Sequence, residues 1–364
     1  MTSKKNDDKW GFKEAVQFYK EELKNLPKDA PVKDRVKITL KLADTCAGNG
    51  DWDDALKYYL ECLNFNEGIE AKETADVFRK IGKIHSERSK WEQAKKVLDR
   101  AITLGKECND ERLCESYRYL GRVYWRTGDS ERAIEYLNIG LENAMAHNND
   151  EVVSAIYIDL GNVFGEIGDR AEALEYYEMA KKKLETTGNM FDMCRVYNNI
   201  GDIYLKTNEL QKAKENFEKC IEIAEKTKNT RLLGYGLMNA AETCAKLGEL
   251  ENAEKYAKEA LKIFKKLDEK YMIASYYTIM GIIGVKKGSW ADAEKAFNES
   301  ISIFEKINIP YYKAIAYFEL GKMFKYKGEL ENARKNFEHS LAILESLRAS
   351  TECEDVKKEL NELN

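Results

Sequence analysis

Apolar and polar residues follow the period of an α-helix along most of this chain, in stretches of roughly four turns. Between residues 191 and 206, the apolar positions at helical spacing are Val196, Ile200, Ile203 and Tyr204. Between residues 209 and 226, they are Ala213, Phe217, Cys220, Ile221 and Ala224. Each stretch therefore predicts an amphipathic helix with one buried face.

The pair of helices recurs at a fixed interval. Eight alanines, spaced by 39 or 40 residues, hold one position: Ala55, Ala94, Ala133, Ala173, Ala213, Ala253, Ala293 and Ala333. Twelve residues before each stands another small residue: Ala43, Gly82, Gly121, Gly161, Gly201, Ala241, Gly281 and Gly321. Two small residues at constant separation indicate that two helices cross too closely for larger side chains. A period of this size is typical of a solenoid.

The segment between the two helices has turn chemistry. Most units place a glycine before an acidic residue, as in Gly128-Asp129 and Gly168-Asp169. Glycine supplies the left-handed conformation that ends one helix, and the acidic residue suits the N-terminus of the next. The repeated unit is therefore a helical hairpin. The second unit departs from this pattern, because Ser89-Lys90 replaces the turn glycine.

These positions resemble the tetratricopeptide repeat. The residues that carry the resemblance are Leu120, Gly121, Tyr124, Ala133 and Leu137 in one unit, and Leu160, Gly161, Phe164, Ala173, Tyr177 and Ala180 in the next. The spacing exceeds the usual period of about 34 residues. It is similar to the long-helix subclass of spindle-orientation adaptors, kinesin light chains and bacterial peptide-sensing regulators. The resemblance implies an all-α, right-handed α-solenoid (superhelix) of about eight helix-turn-helix units with flanking helices.

The ends of the chain fit the same scheme. We expect an orphan second-type helix over Trp10–Leu23 and a proline-containing linker within residues 1–33, eight repeats over 34–348, and a polar capping helix over 349–364. This division predicts sixteen repeat helices, one more helix at each end and no strand.

Charge and cysteine usage narrow the class of protein. The net charge of −5 argues against a polycation that seeks nucleic acid, and no apolar run approaches the roughly 20 residues that span a bilayer. Residues 1–9 are polar, so we expect no signal peptide. Several of the eight cysteines take small or apolar repeat positions, which predicts reduced core thiols in the cytoplasm. A disulfide between Cys108 and Cys114 is the alternative.

Catalytic chemistry finds no support in the sequence. The three histidines, His85, His147 and His339, stand far apart along the chain. No metal-binding, phosphate-binding or calcium-loop spacing is present. We therefore expect a non-enzymatic protein without a cofactor or a metal.

The resemblance implies that first helices line a concave groove. At about 100° per residue, the positions six, three and two before the small residue and one, four and five after it form one stripe. In the second and third units this stripe is basic and aromatic: Arg79, Lys80, Lys83, Arg118, Tyr119, Arg122, Trp125 and Arg126. Acidic residues are expected only at its margins, at Asp76, Glu87 and Glu115. We expect charge reversal at Arg118 and Arg122 to leave thermal stability nearly unchanged, although solvated charges are the alternative interpretation.

Later units carry a different stripe. Its amides, suited to the main chain of an extended peptide, are Asn162, Asn198, Asn199 and Asn239. In the seventh unit the stripe is apolar, with Ile279, Ile282 and Val285, and core contact with the next unit is the favoured interpretation over a pocket.

The resulting hypothesis is a protein-protein interaction scaffold whose groove binds an extended, partly acidic segment of another protein. The alternatives are a regulatory sensor, although residues 1–33 are too short for an output domain, and a homo-oligomer that assembles through its terminal helices. Nucleic acid and membrane are the disfavoured partners.

Overall fold

The computed structural model describes residues 11–65 and 68–363, in which helices joined by turns are present and no strand occurs. Trp10 lies outside the described residues. The chain divides into two compact units, Met1–Thr187 and Gly188–Asn364. The helices of the first unit are α1 (Phe12–Asn25), α2 (Val32–Asn49), α3 (Trp52–Asn64), α4 (Ala71–Glu87), α5 (Trp91–Glu107), α6 (Leu113–Arg126), α7 (Ser130–Ala146), α8 (Asp150–Ile167) and α9 (Arg170–Thr187).

The second unit contains another nine described helices. They are α10 (Met190–Lys206), α11 (Leu210–Lys226), α12 (Thr230–Leu247), α13 (Leu250–Lys266), α14 (Lys270–Lys286), α15 (Trp290–Lys306), α16 (Pro310–Lys327), α17 (Leu330–Ser346) and α18 (Ser350–Asn361). Each unit thus holds four hairpins and one terminal helix, which is the hairpin repeat that the pattern predicts.

Neighbouring helices pack in a regular order within each unit. Within each unit, every helix contacts the next one along the chain. First helices also contact each other, α4 with α6 and α6 with α8 in the first unit, and α10, α12, α14 and α16 in succession in the second. First helices therefore form a layer of their own inside each unit.

The small residues lie where the two helices of a hairpin cross. A Cβ atom added to Gly121 would stand 2.8 Å from Cγ of Leu137 and 3.1 Å from the carbonyl oxygen of Ala133. At Gly161 the nearest atom, in the ring of Tyr177, would be only 2.6 Å away. The crossing predicted from sequence is therefore confirmed, and it leaves no room for a larger side chain.

The hairpin turns share one backbone conformation. Gly128 and Gly168 have φ of 83° and 92°, and Ser89 takes the same left-handed region with φ of 55°. The missing glycine of the second hairpin therefore changes the cost of the turn, by roughly 1–2 kcal/mol, and not its shape. After the turn, the Asp129 side chain accepts a hydrogen bond from the backbone amide of Arg132 at 3.1 Å and caps α7.

The eight cysteines are free, and all except Cys108 are buried. Burial raises the pKa of the Cys62 thiol to about 12 and that of Cys114 to about 11. These thiols stay protonated at neutral pH and pack as small apolar side chains. Cys194 and Cys220 lie with their sulfur atoms 2.7 Å apart, and their hydrogen bond, together with burial, raises the pKa of the Cys220 thiol.

The crossing makes a prediction about stability. Ala213 is fully buried, so Ala213→Leu should force the two helices apart and destabilise the protein by about 1–3 kcal/mol. Ala291 is exposed on a second helix of the same unit, so Ala291→Leu should stay within about 0.5 kcal/mol of the wild type. Urea unfolding monitored by circular dichroism measures both, and equal effects would contradict the account.

The cysteine arrangement makes a second prediction. Denatured protein, prepared without reductant, should release eight thiols to a titrating reagent, and the Cys194→Ser variant seven. A disulfide between Cys194 and Cys220 would instead give six thiols in the wild type and seven in the variant, so that outcome would overturn the interpretation of reduced core residues.

Candidate binding groove

Polar contacts between neighbouring first helices follow one register. In the first unit, Nε of Arg118 donates to Oδ2 of Asp159 at 2.6 Å, and Nε1 of Trp125 donates to Oε2 of Glu166 at 2.5 Å. Both pairs are separated by 41 residues. Arg118 and Trp125 stand three before and four after the small residue of their helix, and their partners stand two before and five after theirs. The predicted stripe is thus the surface by which one first helix contacts the next.

The second unit repeats this register. Nδ2 of Asn239 donates to Oδ1 of Asn198 at 2.9 Å, and the Tyr311 hydroxyl donates to Oε1 of Glu352 at 2.7 Å, again across 41 residues. The positions ten before, three before and four after the small residue are seven apart, a spacing typical of helices packed side by side. We call these four pairs the first-helix ladder.

Arg79 lies in a buried ion network and not on an open surface. Its side chain is 5% exposed, and it pairs with Asp76, with Glu115 at 3.3 Å and with Asp110 at 3.9 Å. Its Nη1 also donates to the carbonyl oxygen of Arg112 at 3.3 Å. The expectation that acidic residues stand only at the margins is therefore wrong, because carboxylates from two first helices and the turn between their hairpins enclose this guanidinium.

Other cations of the stripe also have acidic neighbours. Nζ of Lys80 lies 2.7 Å from Asp44 and 3.0 Å from Asp76. Arg122 lies 4.0 Å from Glu87 and 3.9 Å from Asp159. Asp76 lies on the same helix as Lys80, whereas the other three acids lie on the first helix of a neighbouring hairpin. The sequence of one helix alone therefore does not reveal these pairs.

The buried carboxylate of Asp159 corrects the expectation about charge reversal. Asp159 is 2% exposed and faces both Arg118 and Arg122. Loss of these partners would leave its charge buried and unpaired, a change that costs about 3–5 kcal/mol. Reversal at Arg118 and Arg122 is therefore no neutral test of binding, since it destabilises the fold.

Two cations of the stripe remain exposed beside aromatic rings. The guanidinium carbon of Arg126 lies 4.3 Å from the centroid of Trp125, and Nζ of Lys83 lies 5.9 Å from that of Tyr119. Arg118 reaches the same Tyr119 ring at 6.0 Å. Two half-buried rings thus carry cations over their faces, within reach of an acidic ligand.

The four predicted asparagines are all engaged within the protein. Asn198 and Asn239 bond to each other, and Oδ1 of Asn162 accepts from the Tyr177 hydroxyl at 2.7 Å. Asn199 is half-buried on α10. Their use by the main chain of a bound peptide stays a prediction, as does assembly through α1.

Sequence reasoning missed a cavity between α14 and α16. Its volume is 530 Å³, and its lining comes from Ile282, Val285, Lys286, Trp290, Glu319, Lys322, Met323 and Tyr326. Ile279 is buried in a core that α14 shares with the preceding, sixth hairpin, whereas Ile282 and Val285 pack against the core of the next hairpin, as favoured, and also face this cavity. The sequence signal for this cavity was the apolar stripe of the seventh repeat together with an aromatic residue, Tyr326, on the stripe of the eighth. In the structure Tyr326 is 70% exposed.

Among the described residues, no three His, Cys, Asp or Glu side chains group so as to hold a metal ion. In the same part of the chain, no helix is long and apolar enough to cross a membrane.

The network around Arg79 makes a prediction about pH. Burial alone would raise the pKa of Asp76, but Arg79, Lys80 and Arg112 together lower it. Its ion pairs therefore contribute stability that is present above the unfolded-state pKa of about 3.9 and is lost as the pH falls through the lower folded-state value. Asp76→Asn should lose about 1–3 kcal/mol at pH 7, and the difference from wild type should shrink towards pH 3. A difference that is constant between these pH values in urea unfolding would contradict this account.

Solved structures share this architecture. RapI in its apo form has a TM-score of 0.72 at 17% identity, with 96% of each chain covered. The apo form of the quorum sensor NprR from B. thuringiensis has a TM-score of 0.68 at 16% identity, with 90% of this chain and 92% of that one covered.

A larger protein matches as well. A signal transduction ATPase with numerous domains and a tetratricopeptide repeat sensor, from Pyrococcus horikoshii, has a TM-score of 0.67 at 18% identity. The match covers 82% of this chain and 46% of that one, so the chain spans less than half of that protein. At these identities the likeness shows the fold alone.

Sequence comparison supplies the family. A search of curated proteins found no match. The tetratricopeptide repeat family model matches residues 34–107, 73–146, 112–185, 192–266 and 271–346, which together make up most of the chain. The chain belongs to the tetratricopeptide repeat family.

Proposed function

We propose that this chain is a non-enzymatic protein-interaction scaffold that binds an extended, partly acidic segment of another protein along α4 and α6. The observation that carries the proposal is the pair of exposed cations beside aromatic rings, Lys83 with Tyr119 and Arg126 with Trp125. Arginine and aromatic faces suit carboxylates, because guanidinium groups form forked hydrogen bonds while rings cover the apolar part of a ligand. A cytoplasmic location stays part of this proposal.

Ion pairs inside the protein limit which cations of the stripe can contact the ligand. Arg79 and Arg118 already pair with carboxylates inside the protein, so they hold the helices in place. Lys83 and Arg126 are exposed and can change partners at little cost, because surface ion pairs contribute only about 0–1 kcal/mol. We therefore assign the direct contacts to Lys83 and Arg126, and the positioning of the surface to Arg118 and Asp159.

A sensor of peptide signals is the second candidate. The solved relatives include a quorum sensor and a protein with a tetratricopeptide repeat sensor. The cavity between α14 and α16 also supports it, because its volume of 530 Å³ and its apolar wall from Ile282 and Val285 suit one large apolar side chain. In that case a peptide with an apolar anchor, and not an acidic one, is the ligand.

The first test measures the affinity for a fluorescent acidic peptide by anisotropy over a range of salt. Lys83→Glu with Arg126→Glu should weaken binding strongly and leave the melting temperature nearly unchanged, because both side chains are exposed. The matched control is Lys96→Glu with Arg100→Glu, which changes the net charge equally on exposed positions of α5, a second helix. If both double variants lose the same affinity, the effect comes from net charge and not from these positions, and the proposal is contradicted.

The first-helix ladder also predicts a variant whose affinity for the acidic peptide increases. Asp159→Asn keeps the shape of the side chain but removes the charge that Arg118 and Arg122 face. The variant should therefore be less stable, bind the acidic peptide more tightly and show a steeper dependence on salt.

Tighter binding of single-stranded RNA than of the peptide by the wild type would favour nucleic acid instead.

A further inference from the structure

On the side of the first helices away from the stripe, two hairpins of the first unit hold a layer of three rings. In the third hairpin Tyr136 stacks on Tyr124, with centroids 5.3 Å apart and planes at 2°, and lies 6.3 Å from Tyr117. Tyr117 and Tyr124 stand four before and three after the small residue of α6. Tyr136 stands three after the alanine of α7. It is the middle ring, because it lies next to both Tyr117 and Tyr124.

The fourth hairpin repeats this layer. Tyr176 stacks on Phe164 at 5.4 Å and lies 6.1 Å from Tyr157. The middle ring again comes from the second helix. Each of the other hairpins has the same three positions, so the residues that occupy them can be compared.

The seventh hairpin keeps only the first ring. Tyr277 stands at the position of Tyr117, but Ala296 replaces the middle ring and Gly284 the third. A Cβ atom at Gly284 would lie 3.0 Å from Cβ of Ala293, so α14 and α15 leave no room for a ring at this third position. Next to Ala296 a cleft of 490 Å³ remains, within the usual size range of ligand sites.

The lining of the cleft is partly aromatic and apolar and partly charged. Tyr277, Met280 and Ile283 contribute the aromatic and apolar part, and Tyr276 holds Tyr277 edge-on at 5.2 Å. Lys287, which directly follows α14, pairs with Glu254 of α13. The other charged residues of the lining belong to α15: Asp292, Lys295 and Glu299. Hydrogen bonds from Lys287 and then from Lys258 lower the pKa of Glu254. Charges of both signs therefore line the cleft beside its aromatic and apolar surface, which suits a neutral or zwitterionic ligand better than a polyanion or a polycation.

We propose that this cleft binds one planar aromatic ring, of the size of phenol or indole, which stacks on Tyr277 in the place of the missing middle ring. The closest internal analogue is Tyr136, whose ring occupies the equivalent space in the third hairpin. None of the cleft residues belongs to the six stripe positions of α14. The site is therefore distinct from the groove and does not depend on the function proposed for it.

The test measures binding of 4-fluorophenol by ¹⁹F NMR and of indole by saturation-transfer NMR to the full chain. The wild type should bind with a Kd of about 1 mM or tighter, the range open to ligands of so few atoms. Ala296→Tyr supplies the missing ring from the protein itself, and Tyr277→Leu removes the stacking face. Each variant should weaken binding by about tenfold or more, which corresponds to one lost stacking contact.

Two controls keep the result interpretable. Ala291→Tyr adds the same ring at an exposed position of α15 outside the cleft and should bind both probes as the wild type does. Circular dichroism shows whether Ala296→Tyr folds, and Tyr277→Leu decides the question if it does not. Absence of binding to the folded wild type, or unchanged binding in both cleft variants, would overturn the proposal.

A further probe distinguishes the two sources of such a ring. N-acetyltyrosinamide carries a peptide bond on each side of its phenol side chain. If it binds as well as 4-fluorophenol, the site accepts an aromatic side chain of another protein. If only the free phenol binds, the site selects a small aromatic compound, and the ring-binding proposal stands in either case.

Discussion

The close crossing of two helices at small residues is the constraint on which the rest of this structure depends. At Gly121 the backbone of α6 approaches the side chain of Leu137 so closely that one added carbon would overlap it. Because each hairpin crosses at the same point, first helices recur in the same orientation and at a constant register within each unit. The ladder contacts across 41 residues follow from this regularity, since position three before the crossing meets position two before the next one.

The ladder gives the polar residues of the stripe two different roles. Arg118 and Asn198 form hydrogen bonds with the neighbouring first helix, and the bond from Arg118 compensates the buried charge of Asp159. Exposed cations such as Arg126 lie beside aromatic rings and stay accessible. A binding surface built in this way is preorganised, because the groups beneath it are fixed before a ligand arrives.

The sequence was sufficient to predict the helices, their pairing and the crossing points, because a small residue every 39 or 40 positions reflects local packing within one hairpin. It was not sufficient to predict the partners of the stripe. The partner of Arg118 depends on a one-residue offset between neighbouring first helices, which only the packed structure reveals. The cleft at Ala296 corresponds in the aligned hairpins to the loss of both the middle and the third ring, at Ala296 and Gly284, but its volume depends on how α14 and α15 pack, which the sequence does not show.

A double-mutant cycle on Arg118 and Asp159 tests the ladder most directly. The free energy of unfolding is measured for the wild type, Arg118→Ala, Asp159→Ala and the double variant. If the two side chains stabilise each other across the hairpins, the cycle should give a coupling energy of about 1–3 kcal/mol, and Arg118→Ala alone should be less stable than the double variant. Effects that add to within about 0.5 kcal/mol would show that the pair is not coupled and would contradict the ladder.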